Sequence, residues 1–417
     1  MGVVARDSAD GAVNARRVTV AVAAAGICSF SLLYAPQPLL PQLAAEFGLD
    51  PGAASLAVSM GTGGLAAAVV PIAVLSEIVG KRPVVIVSVL ASALLGLVLP
   101  FAPSYEVLLV LRVLQGIAIA GFPGVAAAYL TEVLGRAGVA GAVGAMIAGN
   151  TVGGMLGRLV AGGVTERLGW HGALAVVGGL GLLCALLTVA TLPRVPRASR
   201  RDREGAGGVG EATESLGSKL RAVLSGFRVG LRRPVLWAQY GVALLAMGSF
   251  VALYNAAGFR LTGDPLNLSP AVASLVFLCY AMGSVSSATA GRLVARYGRM
   301  RCLLMSLALT AVGAAATVWG SLAVVIAGFV VFTGGFFAAH AVANGWAAAE
   351  APTQARASAS GLYTLAYYLG SSVGGTVGSI VYGYAGWTWL VGTVAVWLGC
   401  AAAGVVLLAR RHASETV

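Results

Sequence analysis

Three side chains that can carry charge or move a proton fall inside long apolar runs of this sequence: Arg112, Arg158 and His340. No Asp or Glu is expected well inside such a run. The acids stand in tails, in loops or at helix ends, at Glu46, Asp50, Glu77, Glu106, Glu132, Glu166, Asp264 and Glu350. An arginine inside an apolar run is costly and ordinarily faces a cavity or a partner. Arg112 has the alternative of snorkelling toward the helix end that Glu106 marks, and Arg158 that of pairing with Glu106 or Glu166. His340 has an unperturbed pKa near neutrality, which suits proton exchange; a lone histidine serves equally well as a hydrogen-bonded packing residue. Polar side chains also interrupt apolar runs at Tyr34, Gln37, Asn150, Tyr254, Asn255, Asn344, Tyr363 and Tyr367. These are candidates for lining a cavity or for bonding neighbouring helices. Four-residue spacing puts His340 and Asn344 on one helix face, and Tyr363 and Tyr367 on another. Basic groups without buried acids point to neutral or anionic small molecules rather than organic cations.

The apolar runs must position these groups. Of 417 residues, 58% are hydrophobic and 10% charged, against about 25% charged in a soluble domain. A helix crossing a bilayer needs about 20 apolar residues, so twelve crossings with short loops fit the length. The runs are continuous rather than alternating, which excludes a membrane barrel. Helices are predicted at roughly 18–39, 54–76, 84–102, 106–131, 140–163 and 172–192. The second set falls at roughly 235–259, 270–291, 302–320, 322–348, 357–383 and 387–409. The polar segment 193–234 divides six from six. The expected organisation is a tail 1–17, a bundle 18–192, a central loop 193–234, a bundle 235–409 and a tail 410–417. With the N-terminus inside, 23 of the 27 basic residues lie on cytoplasmic segments. The positive-inside rule thus predicts both termini in the cytoplasm, in a bacterial plasma (inner) membrane.

The net charge of +12 is spread over those loops, so a lipid bilayer rather than nucleic acid is the expected partner. The five cysteines, Cys28, Cys184, Cys279, Cys302 and Cys400, form no CxxC pair, so neither a zinc site nor a disulfide framework is suggested. Nothing matches GxxxxGK[ST], so transport driven by ATP is not expected. No His/Asp/Glu cluster offers an acid, base or metal site; no catalytic residue, metal or cofactor is expected, and an enzyme is disfavoured.

The halves repeat one another. Gly149-Asn-Thr-Val-Gly153-Gly154-Met-Leu-Gly157 matches Gly370-Ser-Ser-Val-Gly-Gly-Thr-Val-Gly378 at an offset of 221 residues. Ser29-Phe30 and Leu33-Tyr34 recur as Ser249-Phe250 and Leu253-Tyr254, and Gly80-Lys81-Arg82 corresponds to Gly298-Arg299-Met300. A parallel duplication of six helices, with a site between the halves near the midplane, is a secondary-transporter plan.

Specific motifs name a family. Ala73-Val-Leu75-Ser76-Glu77-Ile-Val-Gly80-Lys81-Arg82 resembles the loop signature of the Major Facilitator Superfamily, with Ala73, Glu77 and Ile78 departing from its pattern. The resemblance implies that Glu77, Gly80, Lys81 and Arg82 latch the two halves in one state. Arg112-Val-Leu-Gln115-Gly116, followed by Gly121, resembles the second signature, whose arginine is implied in proton coupling. Gly149, Gly153, Gly154 and Gly157 resemble the antiporter signature, associated with export; here Gly154 replaces the expected proline and Arg158 the final glycine. Tyr34-Ala-Pro-Gln-Pro38, Gly248-Ser-Phe-Val-Ala-Leu-Tyr-Asn255, Phe336-Phe-Ala-Ala-His340 and Tyr367-Tyr-Leu-Gly-Ser-Ser372 look like a bacterial branch of arabinose-efflux-like or drug-efflux-like permeases. The resemblance implies an all-α membrane protein of two six-helix bundles. Its expected function is proton-coupled antiport of a small-molecule substrate by a functional monomer. Uptake with protons on the same fold is the alternative.

Overall fold

The computed structural model describes residues 2–193, 233–352 and 356–415. Most of the expected central loop and the end of the C-terminal tail lie outside them. Among the described residues every regular element is a helix, and nine stretches are long and apolar enough to cross a bilayer. Two of them, Val139–Thr191 and Ser358–Leu408, hold two crossings each. Gly169 (φ 62°) and Gly386 (φ 82°) turn the backbone there in a conformation that strains any residue with a side chain. The fourth crossing is helix Tyr105–Ala120, continued after a short turn by the start of Ala126–Thr191. Among the described residues the crossings come to twelve, as the sequence predicts. An even number brings Gly2 and Glu415 to one face, called here the terminus side; the opposite face is the far side.

Large apolar side chains point outward, among them Val87, Leu94, Val110, Leu183, Met305, Val312 and Val396. An outer surface of this kind needs lipid rather than water around it. Inside, each half has its own core. Asp50 accepts hydrogen bonds from the N–H groups of Gly52 (2.7 Å) and Ala53 (3.0 Å), capping the second span, helix Pro51–Val79. Gly80 (φ 94°) and Gly298 (φ 82°) make equivalent turns into the third span, Lys81–Val98, and the ninth, Arg299–Ala316.

The duplication is also visible in the packing. The fifth span runs alongside the first, with Gly149 against Ala23, Gly153 against Ile27 and Gly157 against Ser31. The eleventh runs alongside the seventh, helix Pro234–Thr262, with Gly370 against Leu244, Gly374 against Gly248 and Gly378 against Ala252. A Cβ on any of these six glycines would stand 2.2–2.5 Å from its neighbour. Small residues let the helix axes approach where lipid gives no hydrophobic drive for association. The 221-residue offset of the sequence is thus carried by matching contacts.

One boundary differs. The first span does not stop near residue 39 but runs Ala15–Phe47. Helix Gly2–Tyr34 breaks, a 3-10 turn Gln37–Leu39 follows, and helix Leu40–Phe47 completes the crossing. Prolines at 36, 38 and 41 interrupt the hydrogen-bond ladder, yet buried Leu39, Leu40 and Leu43 keep the segment inside the bundle.

Candidate substrate and coupling site

The break in the first span explains Arg112. Pro36 has no N–H to give the carbonyl of Leu32, four residues earlier. Arg112 supplies the missing donor: Nη1 donates to the Leu32 carbonyl at 3.0 Å, Nη2 to that of Leu33, and Nε to that of Ala57 in the second span at 2.7 Å. Nη1 also donates to the side-chain oxygen of Gln115, whose amide donates to the Ser92 carbonyl at 3.1 Å. Gly61 and Gly116 make the room. A Cβ on Gly61 would lie 2.5 Å from Arg112 Nη2, and one on Gly116 would lie 1.9 Å from the Gly61 carbonyl oxygen. Arg112 is fully buried, while Glu106 stands exposed at the start of the same helix. The arginine neither snorkels nor meets a carboxylate among the described residues; it caps a helix end inside the membrane, where carbonyls concentrate negative charge.

Gln37, released by the same break, reaches both halves. Its Nε2 donates to Asn255 Oδ1 of the seventh span at 2.7 Å, and its Oε1 accepts from Arg158 Nε of the fifth span at 2.5 Å. Arg158 Nη1 donates to the Gly154 carbonyl at 2.7 Å. The guanidinium carbon lies 4.1 Å from the ring centre of Tyr34, 4.5 Å from that of Tyr280 and 5.3 Å from that of Phe277, within cation–π range. The two departures from the antiporter pattern belong together. A Cβ on Gly154 would stand 3.2 Å from Arg158 Nη1, so the glycine leaves space that the arginine head uses. Arg158 pairs with neither Glu106 nor Glu166; its partners are neutral.

An aromatic wall leads from this cage toward the terminus side. Tyr280 and Phe337 lie 6.1 Å apart, Phe336 stacks on Phe250 at 4.0 Å, and His340 lies 6.1 Å from Phe336 and 4.8 Å from Tyr367. The Tyr363 hydroxyl is 2.9 Å from His340 Nδ1. The structure therefore joins His340 to Tyr363 and Tyr367. Asn344, one turn further along, is exposed. Tyr254 is core rather than cavity: its hydroxyl meets the Thr333 hydroxyl at 2.7 Å among Phe250, Phe277, Phe329 and Phe332. Asn150 packs against the first span, where a Cβ on Gly26 would come within 2.5 Å of its Oδ1.

Further ties across the halves lie toward the far side. The Ser372 hydroxyl donates to the Ser59 carbonyl at 2.8 Å, and the hydroxyls of Thr376 and Ser59 are 2.7 Å apart. Glu166, on the turn between the fifth and sixth spans, accepts from the N–H of Ala271 at the start of the eighth at 3.0 Å. That N–H, helped by the Ser269 hydroxyl, holds the Glu166 carboxyl below its ordinary pKa. On the terminus side, Lys81 pairs with Glu77 (3.1 Å) and Glu132 (3.4 Å), and Arg82 Nε donates to the Leu192 carbonyl at 3.2 Å. All these partners belong to the first half, so among the described residues the Glu77–Arg82 loop does not bridge the two. Sequence reasoning missed Phe277, Tyr280, Ser59, Ser372 and Thr376. The one available signal was the four-residue spacing of Ser372 and Thr376, which puts both hydroxyls on one helix face.

The arrangement is that of a two-bundle carrier, and the comparisons agree. The sequence profile of the Major Facilitator Superfamily matches residues 22–262 and 261–417. The chain belongs to that superfamily and is a multi-pass membrane transporter rather than an enzyme. It is 36% identical over 389 residues to the uncharacterized MFS-type transporter YybF of Bacillus subtilis (strain 168), covering 92% of each chain. It is also 36% identical over 400 residues to the inner membrane transport protein YnfM of Escherichia coli (strain K12), covering 95% of this chain and 92% of that one. Its fold is similar to that of a bacterial homolog of the human lysosomal transporter Spinster, solved inward-facing and unoccupied, with a TM-score of 0.76 at 18% identity over 96% of this chain and 97% of that one. The nucleoside transporter NupG (D323A mutant) gives 0.71 at 16% identity, over 94% and 99% of the two chains.

Proposed function

We propose that the protein is a proton-driven exporter of a small organic compound in a bacterial inner membrane, with both termini cytoplasmic and one chain as the working unit. The observation that carries this reading is the buried seam Arg158–Gln37–Asn255, shared by the fifth, first and seventh spans across the junction of the halves. A carrier that rocks two bundles around a central site needs polar groups at that junction. The bundles 18–192 and 235–409 are the moving units, and the segments 1–17, 193–234 and 410–417 are cytoplasmic.

The far-side ties at Ser59, Ser372, Thr376 and Glu166 support a state closed to the exterior, in keeping with the inward-facing Spinster homolog. Export is favoured by the glycine run Gly149–Gly157, which resembles the antiporter signature. Arg112 is engaged in capping the broken first span, and Glu106 is exposed at the mouth of the fourth. Arg158 is held by Gln37 and the Gly154 carbonyl, which leaves His340, half-buried and bonded to Tyr363, as the group to exchange a proton. Glu77, Lys81 and Arg82 reach the second half when the cytoplasmic side closes.

The test is substrate-triggered proton movement in inside-out vesicles, read by a pH-sensitive dye over a panel of antibiotics, sugars, organic anions and lipophilic cations. A compound that collapses a preformed gradient only with intact protein, and not with His340→Ala, is the expected result. Compound and protons moving in the same direction would overturn antiport.

A further inference from the structure

Arg158 is 2% exposed, and among the described residues no carboxylate lies within ion-pair distance of it: the ion pairs there involve only Lys81. A buried cation with neutral partners alone is poorly compensated, since buried charges ordinarily carry a counter-charge. Its donors are also incompletely used. Nε and Nη1 are bonded, to Gln37 and Gly154, and no acceptor among the described residues takes Nη2. A second buried donor nearby is idle: Asn255, fully buried, has its Nδ2 without a partner, while its Oδ1 holds Gln37.

The heads of Arg158 and Asn255 each stand over a glycine, on Arg158 through the bonded Nη1 and on Asn255 through the idle Nδ2, and the glycines are related by the internal repeat. A Cβ on Gly154 would come within 3.2 Å of Arg158 Nη1, and one on Gly375, 221 residues later, within 3.0 Å of Asn255 Nδ2. The rings of Tyr34, Tyr280 and Phe277 stand 4.1, 4.5 and 5.3 Å from the guanidinium carbon, and with Nε and Nη1 bonded the Nη2 end is what remains for a ligand. An edge of parallel N–H groups matches a carboxylate. The rings beside it match a flat apolar body.

We propose that Arg158 is the anion-recognition group and that the substrate is a monoanionic organic acid with an aromatic or compact apolar body. Its carboxylate takes the open edge of Arg158, with Asn255 as the second donor. This rests on the transporter reading above and sharpens it. Arg158 binds the charged substrate directly, and the Gln37–Asn255 bond is the part that must open for the acid to pass to the far side.

The test uses full-length protein in nanodiscs, titrated with phenylacetate, phenylacetamide and phenethylammonium by calorimetry. Four further aromatic and short-chain monocarboxylates complete the panel. The expected result is saturable binding of at least one carboxylate, about tenfold or more tighter than its amide or amine counterpart. Arg158→Gln abolishes that difference and leaves the amide unchanged. Arg158→Lys falls between, because an ammonium keeps the charge but loses the planar fork. Gel filtration and melting establish that each variant is folded. Equal affinity for acid and amide overturns the proposal, as does wild-type affinity in folded Arg158→Gln or no saturable binding of any monocarboxylate. Proton movement triggered by neutral or cationic compounds, alongside any of those outcomes, would remove the anion reading and leave the transporter reading intact.

Discussion

Replacing Arg112 by Met keeps the length and apolar stem of the side chain and deletes its donors. The guanidinium serves the carbonyls of Leu32, Leu33 and Ala57 and the side-chain oxygen of Gln115. The Leu32 and Leu33 carbonyls at the break and the Gln115 oxygen then lose that donor in a buried interior, while the Ala57 carbonyl keeps its place in the ladder of helix Pro51–Val79. Each unpaired acceptor costs about 1–3 kcal/mol, and removing the buried charge returns part of that as relieved desolvation. The net loss is therefore placed at about 3–5 kcal/mol, the range for deleting one partner of a buried charged network. At roughly 2–4 °C per kcal/mol for a unit the size of one half, the apparent melting temperature in detergent falls by roughly 6–20 °C. Arg112→Lys recovers part of this, since one ammonium reaches fewer carbonyls than a fork. If Arg112→Met melts like the parent and loses only proton coupling, the helix-capping argument is refuted and Arg112 is a coupling group instead.

The symmetric glycines give a paired prediction. Gly153→Leu and Gly374→Leu each push a Cβ to within 2.5 Å of the neighbouring helix, so both should destabilise by about 1–3 kcal/mol or more. Gly141→Leu, where nothing lies within 4 Å of the Cβ, should melt like the parent; equal losses at all three sites would contradict the packing argument. Gln37→Ala strands Arg158 Nε and Asn255 Oδ1 and weakens the far-side closure. Labelling of a Ser371→Cys reporter, at a fully buried position of the eleventh span, by an impermeant thiol reagent from the far side should then rise by roughly tenfold. An unchanged rate would mean that the seam does not hold the halves together.

Much of the fold was legible because lipid imposes a strong rule: every crossing must be a long apolar helix. The twelve runs, the duplication and the Gly149–Gly157 stripe follow from that rule and from the need of tight helix pairs for small residues. The site was less legible. Arg112 and Arg158 stand out as charges in apolar runs, but their partners do not. Those of Arg112 are mostly main-chain carbonyls, two of them exposed by a proline 76 residues upstream, and no side-chain pattern advertises a carbonyl. Phe277 and Tyr280 read as apolar filler until the fifth span brings Arg158 against them. Ser59 and Thr376, 317 residues apart, meet only because the halves close on one another. The continuation of the first span past Pro38 was hidden because proline marks a break in the ladder without saying whether the chain leaves the membrane.

The central claim is that the two halves rock about the Arg158–Gln37–Asn255 seam and that the far side must open in each cycle. The hydroxyls of Ser59 and Thr376, 2.7 Å apart across the junction, stand close to the spacing that a disulfide of about 2.05 Å requires. The decisive measurement is substrate-triggered proton movement in vesicles carrying Ser59→Cys/Thr376→Cys, before and after oxidation, with each single variant as a control. Oxidation should stop the movement in the double variant alone, and reduction should restore it. Wild-type movement from fully cross-linked protein would contradict the account.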